Sequence, residues 1–335
     1  MARIRQWIGF LIMLVGLGLL AGPFLLGARE EWVQEQAVDS FYQSVEEAQT
    51  AAPEPLTDDT PLTEQKPWNG FYEAAKAYNE SLLDGQDAMT KPEDVEKFAL
   101  NPEHYRFYRD VIGTIRIPRM EIELGLYLGA SNENMEKGAA ILGMTSFPLG
   151  ESSENTAIAG HRGWRGAPMF REIQKLQIDD PIYVTTPWRT LTYRVCEIRI
   201  VTPEDTSWCE IQRDRTLISL MTCHPYGQNY QRYIVFAELS LEDMPTEEEI
   251  IRNDIQSFDP APRTVTLVNA DGTSETVMVD PSTIQPDGSE YGAVLSNFVI
   301  LAEDKMRTIA WIAAVLVAFA GTWLTVMTVR DFRKT

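Results

Sequence analysis

The stretch Thr216-Leu217-Ile218-Ser219-Leu220-Met221-Thr222-Cys223-His224-Pro225-Tyr226-Gly227-Gln228-Asn229-Tyr230-Gln231-Arg232 decides the reading of this chain. An apolar run, Thr216–Thr222, has the length of a buried strand and ends on a single cysteine. Pro225 and Gly227 punctuate a turn. Arg232 then opens a second apolar run, Arg232–Leu239, nine positions after Cys223. A strand end can hold a thiol rigidly and still present it to a substrate. The thiolate is the reactive form, and it needs a nearby base or cation. A buried structural cysteine remains the simpler reading of any lone Cys.

Three histidines are candidates for that base: His104, His161 and His224. Neighbouring residues on a strand point to opposite faces, so His224 is poorly placed to serve Cys223. His104 lies in a polar segment and reads as a surface residue. His161 follows the candidate strand Thr156–Gly160, between Gly160 and Gly163, where the backbone is free to approach another strand end. Arg232 cannot act as a base at ordinary pH, but a guanidinium stabilises a developing oxyanion or holds a carbonyl. Cys196, Cys209 and Cys223 lack CxxC spacing and the histidines do not cluster, so no metal and no other cofactor is expected. A Cys196–Cys209 disulfide and two separate thiols both remain open.

Working outward, candidate strands lie at Val111–Pro118, Ile122–Leu128, Ala139–Leu142, Thr156–Gly160, Pro181–Thr186, Leu191–Thr202, Thr216–Thr222 and Arg232–Leu239. One helix is expected at about Ala167–Leu176. Eight short strands of this kind suggest a closed or nearly closed β-barrel. Upstream, Trp32, Ala37, Phe41, Val45 and Ala48 recur at helical spacing, and a second helix is expected at Gly70–Leu83. Downstream, Thr246-Glu247-Glu248-Glu249 reads as a capping box for a helix through Ile255. Residues 264–280 read as a hairpin turning at Asn269-Ala270-Asp271-Gly272.

Of the 335 residues, 44% are hydrophobic, and two uncharged end segments hold part of that share: Trp7–Leu26 and Thr308–Val329. Each is long enough to cross a bilayer as a helix. Leu26-Gly27-Ala28 also fits a signal-peptide cleavage site, but the length of the first segment favours an uncleaved anchor. Arg3 and Arg5 before the first span, with Arg330, Arg333 and Lys334 after the second, place both tips in the cytoplasm and the rest outside. Those tips hold five of the 29 Lys and Arg and one of the 49 acids, leaving 24 bases and 48 acids between the spans. So acidic a surface repels nucleic acid.

The expected organisation is a tip and anchor at 1–28, a helical and linker region with a possible lid at 29–110, and a catalytic barrel at 111–242. A helix, hairpin and linker follow at 243–307, then a span at 308–329 and a tail at 330–335. The fold class is mainly β: an eight-stranded barrel with short helices, an N-terminal helical segment and two transmembrane helices.

Leu220-Met221-Thr222-Cys223 followed by Arg232, together with Gly160-His161-Arg162-Gly163, resembles the sortases, membrane-anchored cysteine transpeptidases of Gram-positive bacteria. Thr222-Cys223-x-Pro225-Tyr226-Gly227-x-Asn229-x-x-Arg232 and the carboxy-terminal span look like the class C, pilin-polymerising group. Gly113-Thr114-Ile115-Arg116-Ile117-Pro118 fits as its first-strand motif. The resemblance implies that Cys223 attacks the Thr–Gly carbonyl of a Leu-Pro-x-Thr-Gly-like sorting signal and forms a thioester. It implies that His161 is general acid and base, that Arg232 positions the carbonyl or oxyanion, and that Thr222 assists there. The partners implied are pilins or surface proteins bearing such signals, and the membrane. Anchoring of surface proteins to peptidoglycan is the alternative activity, and a non-catalytic tethered scaffold is a third reading. The group's lid often carries an Asp-Pro-aromatic triplet; residues 79–110 contain none, Lys91-Pro92-Glu93 and Asn101-Pro102-Glu103 being nearest.

Overall fold

The computed structural model describes residues 16, 27–48, 69–84, 96–102, 107–240, 263–268 and 274–279. Both proposed membrane spans, apart from Gly16, and the proposed helix at 246–255 lie outside them. Among the described residues no helix is long and apolar enough to cross a membrane.

The eight strands are β1 (Gly113–Ile117), β2 (Ile122–Leu128), β3 (Ala139–Ile141), β4 (Glu154–Ala159), β5 (Pro181–Thr185), β6 (Thr190–Val201), β7 (Thr216–His224) and β8 (Gln231–Leu239). They close into a barrel in the order β1-β2-β3-β4-β7-β8-β6-β5. Closure removes the exposed strand edges that would otherwise pair with other chains. The pairing of β4 with β7 is parallel, from Glu154 opposite Thr216 to Ala159 opposite Met221. β7 and β8 form an antiparallel pair. β9 (Arg263–Val268) and β10 (Ser274–Val279) pair as the expected hairpin, Val268 facing Ser274.

Alternation divides the barrel strands between two apolar clusters. Ile158, Ile218, Leu220, Tyr233 and Val235 fill one. Ala157, Ala159, Ile234 and Phe236 point to the other face, where Ala37 and Phe41 cover them. Those two residues belong to α1, the helical stretch 27–48, one turn apart on one face. Tyr42 of α1 donates to Glu123 Oε1 at 2.6 Å, which ties this helix to β2.

α2 (Asn69–Asp84) buries Phe71, Ala75, Asn79 and Leu82, a stripe of helical period. Asn79 works as a surrogate strand residue. Phe147 N–H donates to its Oδ1 and its Nδ2 donates back to the Phe147 carbonyl, both at 2.8 Å. Its Nδ2 also lies 3.1 Å from Glu154 Oε1, and Gly150 N–H donates to Oε2 at 2.9 Å.

Burial raises the Glu154 carboxyl from its ordinary 4.5 to about 7, against the lowering effect of the Gly150 and Glu151 N–H groups and Asn79. A raised acid favours the folded state while it is protonated. That contribution is complete below 4.5 and disappears as pH rises from 4.5 to about 7. Glu154→Gln should therefore flatten the fall in Tm between pH 5 and 8. Thermal unfolding of both proteins across that range checks it, and parallel Tm curves would refute the assignment.

The expected helix at 167–176 is not α-helical. Only Ile173–Lys175 forms a 3-10 turn. Pro168 is followed by Met169 in a left-handed conformation, φ 42°, which a continuous right-handed helix excludes. Phe170 N–H instead donates to the His161 carbonyl at 3.0 Å. A short helix not expected from periodicity, α3 (Asn132–Lys137), is capped by Ser131, whose side chain accepts from Asn134 N–H.

Candidate active site

The three candidate residues sit at one end of the β4, β7 and β8 strands. Cys223 lies directly opposite Arg232 in the β7–β8 ladder. Cross-strand partners project to the same side of a sheet, so both side chains serve one surface. β4 ends two residues before His161, beside the same end of β7. Gly160 N–H donates to the Met221 carbonyl at 3.1 Å. Thr222 Oγ1 donates to the Gly160 carbonyl at 2.7 Å.

The latter bond defines Thr222. Its side chain is 1% exposed, and its hydroxyl proton is already committed to the residue preceding His161. The structure thus places Thr222 as a tie between the two strand ends. The expected assistance at an oxyanion has no free hydroxyl proton to supply it in this arrangement.

Gly160 has a steric reason. A Cβ there would lie 2.8 Å from the Phe170 ring, which packs against this turn. The His161 ring is half-buried and stacks on Trp164, centroids 4.6 Å apart and planes within 13°. The guanidinium of Arg165 lies 5.2 Å from the Trp164 ring centre. Burial lowers the His161 pKa, and the nearby carboxylate of Glu136, from α3, partly restores it. His161 is therefore held toward its neutral form, the form able to accept a proton.

Arg232 is half-buried and donates from Nη1 to the carbonyls of Asn229, at 2.8 Å, and Gln231, at 3.0 Å. These bonds anchor the guanidinium to its own turn. His224 lies on the opposite face from Cys223, with no exposure, as alternation requires. Residues 103–106, with His104, lie outside the described set.

Cys196, Cys209 and Cys223 are all free thiols, which answers the open question of a Cys196–Cys209 bridge. Cys196 sits at a register shift between Val195 and Glu197, and Cys209 donates to the Thr206 carbonyl at 2.8 Å. Burial pushes their thiols up to about 11 and about 12 respectively, so they remain protonated at neutral pH. Among the described residues no three His, Cys, Asp or Glu side chains gather as a metal-ligand cluster.

Sequence reasoning did not assign Trp164, Gln174 or Glu136 to this region. Arg162 was visible beside His161, but nothing in the spacing indicated that it would turn inward.

Residues 115–240 match the family model of the sortase domain. Sortase D of Bacillus subtilis (strain 168) is 26% identical over 129 residues, 38% of this chain and 62% of that protein. Sortase A of Bacillus anthracis is 31% identical over 133 residues, 39% of this chain and 60% of that protein. The chain thus spans about three fifths of the length of these relatives. Among solved structures, Streptococcus agalactiae sortase C1 aligns with a TM-score of 0.52 at 22% identity, over 62% of this chain and 100% of that one. Streptococcus pneumoniae sortase C aligns at 0.50 and 25% identity, over 61% and 96%. Over residues 115–240, the barrel, the chain is thus similar to the sortases.

Proposed function

We propose that this protein is a class C sortase, a membrane-anchored transpeptidase that joins pilin subunits outside the cell. The observation that carries this reading is the convergence of His161, Cys223 and Arg232 at one end of a sortase barrel. Neutral His161 takes the Cys223 thiol proton as Sγ attacks the carbonyl carbon of the Thr–Gly bond in a Leu-Pro-x-Thr-Gly-like signal. The carbonyl π electrons move onto oxygen, and Arg232 stabilises the oxyanion. The tetrahedral species collapses to a thioester as the C–N bond breaks, and protonated His161 gives the departing glycine amine its proton. A lysine amine of the next pilin then attacks the thioester. His161 takes its proton, the C–S bond breaks to release the Cys223 thiolate, which regains that proton from His161, and an isopeptide bond remains.

The Pro225-Tyr226-Gly227 turn after the nucleophile and the proposed carboxy-terminal span support the pilin reading. So does the likeness to sortase C of S. pneumoniae, a structure that bears on pilin substrate specificity. Similarity to the sortase A of B. anthracis supports a second reading, attachment of surface proteins to peptidoglycan. The two differ in the acceptor amine. Mixing the protein with a sorting peptide and either a lysine-bearing pilin or a peptidoglycan stem peptide, followed by mass spectrometry of the product, separates them. Conjugation to the stem peptide alone would overturn the pilin reading.

Arg232→Ala should lower kcat/KM by roughly 10²–10³-fold, the scale of losing one oxyanion donor. Arg232→Lys should recover only part of this, because an ammonium lacks the planar fork. Steady-state cleavage of a quenched sorting peptide reads both. Equal activity of the Ala variant and wild type would remove Arg232 from the mechanism.

A further inference from the structure

Behind the two candidate catalytic residues lies a second pair made by their immediate neighbours. His161 and Cys223 are half-buried, whereas Arg162 is 6% exposed and His224 is 0% exposed. Arg162 Nη1 lies 2.6 Å from His224 Nδ1 and donates to the Cys223 carbonyl at 3.3 Å. Its Nη2 donates to Gln174 Oε1, in the turn that follows. Its guanidinium carbon is 5.7 Å from the centre of the Tyr233 ring, on β8. One buried side chain thus touches the backbone of the thiol-bearing residue, the next residue on β7, β8 and the 3-10 turn.

Burying a guanidinium costs more than burying an apolar side chain of equal size, so stability alone does not favour arginine here. An arginine has only donors, so the Nδ1 of His224 must accept, and its ring must be neutral. Burial first, and then the adjacent guanidinium, lowers the His224 pKa to about 4, in keeping with a neutral ring.

We propose that Arg162 and His224 are positioning residues that fix the Cys223 thiol relative to the His161 ring. Arg162 follows His161 directly in the chain, so its anchorage sets where the imidazole is carried. The Cys223 carbonyl and His224 ring, which it grips, set where the thiol is carried. The contact on the inner side of the strand ends therefore determines the spacing on the outer side. The Thr222–Gly160 hydrogen bond fixes the same two segments one residue earlier. This inference rests on the reading of Cys223 and His161 as catalytic.

The test uses the purified full-length chain and a quenched Leu-Pro-Glu-Thr-Gly peptide. Arg162→Met and His224→Leu should each lower kcat by about 10²-fold with KM within about twofold, as misplacement of reacting groups does. His224→Asn, which offers an amide oxygen near the Nδ1 position, should recover most of the loss. The double variant Arg162→Met/His224→Leu should be no slower than Arg162→Met, because one contact is removed in either case. Iodoacetamide should still label Cys223 in Arg162→Met and leave the buried Cys209 unlabelled, which shows that the thiol stays accessible and the packing intact.

Arg162→Met with kcat within twofold of wild type would overturn the inference. So would a loss accompanied by a matching rise in KM and by iodoacetamide labelling of Cys196 and Cys209, since that pattern reports loosened packing. Peptide cleavage persisting in Cys223→Ala would instead overturn the catalytic reading itself. With that variant inactive, an active Arg162→Met counts against the positioning role alone.

Discussion

Cys223→Ala should abolish the covalent adduct with a sorting peptide and lower kcat/KM by on the order of 10⁴-fold or more, the scale of removing a nucleophile that acts as part of a unit. No other described thiol is placed to substitute. Cys196 and Cys209 are held protonated by burial, at about 11 and about 12, and neither lies on the Cys223–Arg232 surface. His161→Ala should cost roughly 10²–10⁴-fold, the range for a general acid and base. The two losses should not add, because thiol and imidazole work in one proton transfer. Intact-mass spectrometry after incubation with peptide reads the adduct, and steady-state cleavage reads the rates. A thioester-sized mass increase in Cys223→Ala would show that another residue is acylated. Full adduct yield at wild-type rate in His161→Ala would move the proton transfer elsewhere.

The second large effect concerns the attachment of α2 to the barrel. Phe71 has no exposure. Its ring meets Phe107 edge-on at 4.9 Å and Phe147 edge-on at 5.2 Å, and stacks on Trp188 at 5.9 Å. Phe71→Ala should destabilise the fold by about 3–5 kcal/mol, the cost of deleting a fully buried ring and leaving a cavity. For a domain of this size that corresponds to a fall in Tm of roughly 10 °C. The Asn79–Phe147 pair would lose the packing beside it, so the α2 region should become the first to open. Calorimetry gives the Tm, and hydrogen exchange locates the opening. A Tm drop of under 2 °C would show that α2 does not share the barrel's cooperative core.

The mutational effects differ in kind because the residues sit on different faces. Phe71 acts through burial, and its loss should leave the geometry of any folded site unchanged. Thr222, Gly160 and Arg162 act through the spacing of strand ends, and their loss should lower rates in protein that still folds. Comparing Tm with kcat across these variants separates the two groups.

Much of the fold was legible in the sequence because each strand carries its own apolar pattern. Ile122–Leu128 was read with the bounds it has, and the other strands differ by a few residues at their ends. The helix expected at 167–176 failed because its apolar spacing reflects packing of Met169 and Phe170 beneath the site, while Pro168 and the left-handed Met169 forbid a helix. Periodicity records which residues are buried and does not specify the backbone that buries them. α3 was too short to show a period at all.

For the site, the sequence by itself determined the inventory: one thiol at a strand end, few histidines, and an arginine opening the next strand. Strand alternation already separated Cys223 from His224, because that rule is local. Only the tertiary structure decided the register that sets Cys223 opposite Arg232, since pairing between strands depends on the turn between them. Only the parallel pairing of β4 with β7 brought Gly160 and His161 beside Thr222 and Cys223, across some sixty residues of intervening chain. The inward turn of Arg162 onto His224 and the Cys223 carbonyl likewise has no sequence signal, because it arises from the closure of the barrel around a buried charge.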